Sequence, residues 1–258
     1  MKMTILGTGT SCGVPEVGCT GPVCTSTDPH DKRLRCSGIL DVNKARILID
    51  CGPDFREQMI RLNDFKAIDA VLITHEHYDH VGGIDDLRPW CRFRTIPIYA
   101  DHRTCEHLKQ RMPYCFGENL YPGVPRITLT ELQPDIPFMV SNLQGDKVAI
   151  YPLRIMHGQM PILGFRIGRM AWITDMLTMP EANYDKLKNL DVLVMNALHI
   201  KEHPTHQNLA QALENARRIG AKETYFIHMS HKMGLHAEVD KALPDHIHLA
   251  YDGLTLSI

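Results

Sequence analysis

The chain has 258 residues, 44% of them hydrophobic and 22% charged, with a formal net charge of -2. That composition excludes a disordered or collagen-like chain, and no apolar run approaches the roughly 18–20 residues that span a bilayer. The near-neutral balance argues against broad, charge-driven nucleic-acid binding, which needs a clustered basic face.

In chain order, MTILGTG (3–9) predicts a strand running into a glycine turn. The start MKMTILGTGTSCGVP breaks at glycines and polar residues before a signal-peptide core would form, so the expected compartment is the cytoplasm. SGILDVNKARILID (37–50) reads as a hairpin around Asn43-Lys44. AVLITHEH (70–77) is apolar on both faces, as a fully buried strand is, and then turns histidine-rich. IPIYAD, VAIYPLRIMH, ILGFRIGRMAWITD, VLVMNAL, TYFIHMSH and IHLAYDGLTLSI continue the strand pattern.

Helices are predicted between them. The clearest is His206–Ile219, where Leu209, Ala212, Leu213, Ala216 and Ile219 recur at helical spacing, with Thr205 as N-cap and Gly220 after the last turn. Phe55–Leu62, Glu106–Met112, Glu181–Leu187 and Ala237–Leu243 are shorter candidates. Residues 102–126, punctuated by Pro113, Gly117, Pro122, Gly123 and Pro125, read equally as a lid or as an irregular surface connection.

Fifteen histidines and eight cysteines stand out. In a chain without an export signal, cysteines are expected as free thiols or metal ligands rather than disulfides. Cys51, Cys91, Cys105 and Cys115 have no ligand-like spacing and read as structural thiols.

The chemistry concentrates in His75-Glu76-His77-Tyr78-Asp79-His80, directly after the strand. His75 and His77 are two apart, so their rings can turn the same way, and the following loop can bring Asp79 and His80 to a second position. Mixed imidazole and carboxylate ligands suit zinc, iron or manganese. The residue four after His75 is Asp79, so this is not the helical HExxH pattern of zinc proteases. His157, Asp175 and His228 lie at or beyond later strand ends and complete a ligand supply for two metals.

THEHYDH resembles the HxHxDH signature of the metallo-β-lactamase superfamily, and His157, Asp175 and His228 match its later ligand positions in order. The resemblance implies an α/β (α+β) fold, a four-layer αβ/βα sandwich in a single domain over 1–258, with any lid at 102–126 inside it. It assigns His75, His77 and His157 to a first divalent ion, zinc or manganese, and Asp79, His80 and His228 to a second, with Asp175 bridging.

LGTGTSCGVPEVGC, RLRCSGIL, WITD and IHMSH are similar to the PhnP-like phosphodiesterases, which open a cyclic phosphate on a phosphoribosyl sugar. The implied activity is that of a metal-dependent phosphodiesterase in which a hydroxide shared by two metals attacks a small phosphodiester. Asp79 and Asp175 would then belong to the catalytic set, with His206 as proton donor to the leaving group and His199 or His203 as its alternatives. A capping or surface histidine is the bland reading of His206. Arg88, Arg92 and Arg94 are candidates for holding a terminal phosphate.

The same resemblance implies a structural zinc held by three cysteines and a histidine. The middle cysteine of that pattern falls on Gly21, which leaves Cys19, Cys24 and His231, with Cys12 or Cys36 as candidates for the fourth ligand. The expected partner is a small phosphodiester rather than nucleic acid or membrane, and the resemblance implies a homodimer. Thioester or lactone hydrolysis, tRNA 3′ processing and a non-enzymatic metal-binding module are the alternatives.

Overall fold

The computed structural model describes residues 1–117 and 120–258. The first half contains β1 (Lys2–Gly7), α1 (Pro22–Thr25), β2 (Ser37–Val42), β3 (Ala45–Ile49), α2 (Phe55–Leu62), β4 (Ala70–Leu72), α3 (Tyr78–Val81), β5 (Ile96–Asp101), α4 (His102–Arg111) and β6 (Ile127–Leu132). The second contains β7 (Phe138–Ser141), β8 (Lys147–His157), β9 (Met160–Ile167), β10 (Met170–Ile173), α5 (Ala182–Lys186), β11 (Val192–Asn196), α6 (Leu209–Ile219), β12 (Glu223–Ile227), α7 (His236–Ala242), β13 (Ile247–Leu249) and β14 (Thr255–Ser257). Two seven-stranded sheets result, ordered β14-β1-β2-β3-β4-β5-β6 and β13-β12-β11-β10-β9-β8-β7.

The strand sequences explain the layering. In β3, Ile47 and Ile49 face the cluster between the sheets while Leu48 faces α2. In β11, Val192 and Val194 point inward while Leu193 and Met195 meet Ala212 and Ala216 of α6. A strand with period 2 that is apolar at every position must be covered on both faces. Each fully buried aliphatic side chain contributes roughly 1.5–3 kcal/mol of transfer free energy. The result is helix, sheet, sheet, helix, the αβ/βα sandwich expected from the resemblance. The sheets meet closely at Gly38, where an added Cβ would lie 2.2 Å from Met3 Cε and 2.8 Å from the Trp172 ring.

The predicted 37–50 hairpin is present, with Asn43 and Lys44 at φ 47° and 62° in its two-residue turn. Other boundaries move for local reasons. The strand expected over 70–77 ends at Leu72, because the Asp50 carboxylate takes the Thr74 amide at 2.8 Å in place of a strand partner. The helix expected from His206 begins at Leu209. Asn208 and Gln211 form a reciprocal capping box there, so Thr205 is not the cap. IHLAYDGLTLSI is two strands in different sheets, β13 beside β12 and β14 beside β1.

The first part of 102–126 is α4, capped by the Asp101 carboxylate on the Thr104 amide. Cys105, Leu108, Met112 and Cys115 pack it into the cluster under the first sheet. Residues 118 and 119 of that segment lie outside the described residues. β6, β7 and the 3-10 helix Ile84–Arg92 carry no clear periodicity in the sequence and were not expected from it. Among the described residues no helix is long and apolar enough to cross a membrane.

Candidate metal centre

The strands β3, β4, β5 and β6 run parallel, as do β10, β11, β12 and β13. Side chains just beyond their carboxyl ends meet in one crevice, where open α/β sheets place ligands. His75, His77, Asp79 and His80 follow β4, His157 ends β8, Asp175 follows β10 and His228 follows β12. The structure brings all seven together in two adjoining groups, His75–His77–His157 and Asp79–His80–Asp175–His228. Within each group the ligand atoms lie within 4.8 Å of one another.

Asp175 joins the groups. Its Oδ2 is 3.8 Å from His75 Nε2 and 3.2 Å from His228 Nε2, and its Oδ1 is 3.3 Å from His80 Nε2. Asp79 Oδ2 lies 3.2 Å from His80 Nε2 and 3.4 Å from His228 Nε2. His75 Nε2 and His77 Nδ1 are 3.1 Å apart. His206 joins from the loop after β11, its Nδ1 3.9 Å from Asp175 Oδ2.

The surroundings set the tautomers. His80 Nδ1–H donates to Asp50 Oδ2 at 2.8 Å. The Thr74 hydroxyl donates to Asp50, so its oxygen is free to accept from His75 Nδ1–H at 3.0 Å. His157 Nδ1–H donates to the Thr205 carbonyl at 3.0 Å. Each bond commits Nδ1 and turns Nε2 toward the crevice, which is how an outer partner orients a metal-binding imidazole.

Electrostatics in the crevice favour a cation. Burial opposes a proton on His80, but Asp79, Asp175 and Asp50 outweigh it and hold its pKa well above the ordinary value. Burial likewise opposes charge on Asp175, yet His228 and His80 keep it well below the carboxylate range. Burial, helped by His80, holds His75 neutral. His80 Nε2 is buried without a hydrogen bond, although carboxylate oxygens lie 3.2 and 3.3 Å away. Close donors at unsuitable hydrogen-bonding angles fit a shared cation, and the buried, unpartnered Nε2 has no other account here.

The backbone is strained at this rim. Asp50, Asp175 and His228 have φ of 58°, 56° and 56°. Such conformations cost about 1–3 kcal/mol each and persist only where the surroundings over-determine them. At Gly52 an added Cβ would lie 2.0 Å from the Asp79 carbonyl, so only glycine lets β3 approach the ligand loop.

Sequence reasoning missed Asp50, since one aspartate closing a strand is an ordinary feature. It also missed Glu76, which is buried and turns away from the crevice to Arg103 Nε at 2.6 Å, tying the ligand loop to α4. The three arginines stand apart from the centre, contrary to expectation. Arg88 pairs with Asp85, Arg94 with Asp69, and Arg92 lies over the Phe65 ring. Arg88, on the 3-10 helix Ile84–Arg92, lines a cavity of about 740 Å³ beside α2 together with Arg56, Phe65 and Trp90 and none of the crevice residues. Size therefore does not mark the site here; ligand chemistry does. A smaller cavity of about 470 Å³ is lined by His199, Ile200, Lys201, Glu202 and Lys232. His203 links it to the centre, its ring 5.8 Å from His199 and 5.2 Å from His206.

Outside the crevice, where His157, Asp175 and His206 form a further overlapping group, Cys19, Cys24 and His231 also have ligand atoms within 4.8 Å of one another. Neither cysteine considered for the fourth place joins these three. Cys36 is fully buried beside the crevice, its Sγ 3.6 Å from Thr174 Oγ1, and Cys12 is exposed. Cys51, Cys91, Cys105 and Cys115 are buried free thiols in the core.

Comparisons with known proteins bear on the family and the fold. A protein of Porphyromonas gingivalis named octanoyltransferase is 48% identical over 257 residues, 98% of this chain and 51% of that one, so the chain spans about half its length. The crystal structure of a diphosphatase from the PhnP family is 39% identical, with a TM-score of 0.89 over 99% of this chain and 96% of that one. Zinc-bound PqqB from Methylobacterium extorquens superposes over 100% of both chains with a TM-score of 0.79, and at 18% identity the likeness is one of fold alone. The family profile of the beta-lactamase superfamily domain matches residues 45–229, from β3 to just past His228. The chain belongs to the metallo-β-lactamase superfamily.

Proposed function

We propose that this chain is a metal-dependent phosphodiesterase whose two divalent ions, zinc or manganese, lie side by side in the crevice. The observation that carries the reading is Asp175, whose carboxylate stands between two complete donor groups. His75, His77 and His157 would hold one ion and Asp79, His80 and His228 the other. Bound there, two divalent ions supply Lewis acidity toward a phosphoryl oxygen and a nucleophilic water near neutral pH. The rigid supports described above keep the ligands from reorganising as charge develops.

His206 acts in its neutral form. Burial, opposed by Asp175 and reinforced by His228 and His157, pushes its pKa down to about 3. It therefore carries no spare proton at neutral pH, and its ring serves the leaving oxygen as a hydrogen-bond donor rather than as an imidazolium. Its Nδ1 is buried without a hydrogen-bond partner, faces Asp175 Oδ2 at 3.9 Å and groups with His157 and Asp175 at the rim of the two donor sets.

The remainder of the substrate would lie over the Lys201–Lys232 cavity. Neither ammonium group has an ion-pair partner among the described residues. A phosphodiester with a second anionic group suits that wall. Lys232→Gln is expected to raise KM for such a substrate by about fivefold while leaving bis(p-nitrophenyl) phosphate, which lacks one, unchanged. An equal effect on both esters would remove the cavity from the reading.

The name of the P. gingivalis relative makes an octanoyl thioester the informative competitor. Metal-reconstituted protein is assayed on bis(p-nitrophenyl) phosphate and on the thioester, alongside elemental analysis. Phosphodiester turnover with metal bound at the histidine and aspartate groups supports the proposal. Thioester turnover alone keeps the fold and overturns the substrate class.

A further inference from the structure

The resemblance that implies a zinc near the amino terminus implies a closed site with four protein ligands. The residues present do not fit that description. Cys19, Cys24 and His231 converge, and no fourth donor among the described residues lies within 4.8 Å of all three. The nearest candidate is Glu16. Its Oε2 is 3.0 Å from His231 Nδ1, within reach to brace the ring, but it does not join the group itself.

The fourth direction is marked by Gly21. A Cβ built there would lie 3.6 Å from Cys19 Sγ and within 4 Å of nothing else outside its chain neighbours. The position therefore faces the group across open space. Its backbone, at φ -69° and ψ 166°, is one any residue adopts, so nothing in the conformation requires glycine. Gly21, Cys19 and His231 are half-buried, and the neighbouring Gly18 and Thr20 are exposed. Solvent reaches the side of the group where a fourth ligand would stand.

We infer that Cys19, Cys24 and His231 form an open metal site whose fourth position takes an exogenous ligand, a small thiolate where one is present and water otherwise. Closed coordination belongs to structural zinc, and a vacant fourth position is what lets a metal exchange ligands. With Cys19, Cys24 and His231 holding a divalent ion, a thiolate would take the place of water at the fourth position, its proton would pass to solvent, and no oxidation state would change. The inference does not depend on the hydrolytic reading of the histidine and aspartate centre.

The test uses the full chain loaded with cobalt(II). The crevice groups hold no sulfur donor, so thiolate-to-cobalt charge-transfer absorption reports cysteine ligation outside them. Adding 2-mercaptoethanol to the wild-type protein should raise that absorption about 1.5-fold, from two thiolates to three. The Gly21→Cys variant should start at the higher level, ignore the thiol, and yield this metal to a chelator about tenfold more slowly. A wild-type band that the thiol does not move would mean that a protein side chain already closes the site, and would overturn the inference. So would the absence of any such band, or equal release rates from the two proteins. If Gly21→Cys does not fold, the wild-type titration decides alone. A thiol-responsive band in a protein with no phosphodiesterase activity would leave this inference standing and sink the proposed activity instead.

Discussion

His228 and His231 stand three residues apart on one loop and serve two donor groups built in opposite ways. The histidine and aspartate centre draws its side chains from both sheets, buries nearly all of them, and surrounds them with Asp50, Thr74 and the Thr205 carbonyl. The cysteine group draws on one short helical turn, its preceding loop and His231, and its support comes from half-exposed Glu16, by side chain to His231 and by backbone to Cys24. The first group spends backbone strain at Asp50, Asp175 and His228 to fix direction. The second uses ordinary backbone and leaves one direction empty. Rigidity is thus concentrated where charge must be stabilised without reorganisation, and it falls off within one turn of chain.

The sharpest way to break this contrast is to remove its central member. Asp175→Ala takes the shared carboxylate from both donor groups and is expected to lower phosphodiester turnover by about 10³-fold or more. The cobalt–thiolate absorption of the cysteine group should persist, because no contact of Asp175 reaches it. Full turnover in metal-checked Asp175→Ala protein would refute the binuclear reading. Loss of both signals would show that the two groups are one cooperative unit rather than two independent ones.

A smaller effect compares the supports themselves. Asp50→Asn can keep an acceptor for His80 Nδ1–H only by losing the bond that Oδ1 accepts from the Thr74 amide, while asparagine tolerates the left-handed backbone at φ 58°, so the variant should fold with reduced stability. It weakens the basicity lent to His80 and should reduce metal affinity at the buried centre by about 10–100-fold. Glu16→Gln alters the matching contact of the other group, a half-exposed pair of the kind that contributes about 0–1 kcal/mol, and should change affinity there by a few-fold at most. Equal losses in titrations of the two variants would show that the cysteine group is as tightly braced as the crevice.

The contrast also explains what could be read in the sequence. The crevice was legible because histidines and aspartates at the ends of otherwise apolar strands are chemically out of place, and each such strand end leads to the same edge of the sandwich. The strands themselves were legible where both faces are apolar, as in Ile47–Ile49 and Val192–Asn196. Asp50 was hidden because one aspartate after a strand carries no pattern, and the left-handed backbone at Asp175 and His228 has no residue-type signal when glycine is absent. Arg88, Arg92 and Arg94 misled because sequence proximity to His80 says nothing about the direction a 3-10 helix gives Arg88 and Arg92, or about Asp69, which holds Arg94. β6 and β7 escaped because an edge strand exposed along much of its length shows only broken alternation.

The smallest expected effect concerns acid stability of the metal-free protein. His206 in an unfolded chain takes up a proton near its ordinary pKa of 6.5, whereas in the fold it resists protonation down to about 3. The unfolded state therefore binds more protons between those values. The stabilisation tied to neutral His206 is fully present above about pH 6.5 and is lost as pH falls toward 3. His80 works in the opposite sense, since its raised pKa gives stability that fades as pH rises, so the net slope is set by which buried imidazoles dominate. Between pH 7 and 5 the His206 contribution amounts to ~1–2 kcal/mol. Urea unfolding of metal-free wild type and His206→Asn at those two pH values should show the variant losing less stability on acidification by that margin. Identical losses would mean that His206 is reached by water in the metal-free fold, and with it the argument that this ring meets its substrate as a neutral donor would fall.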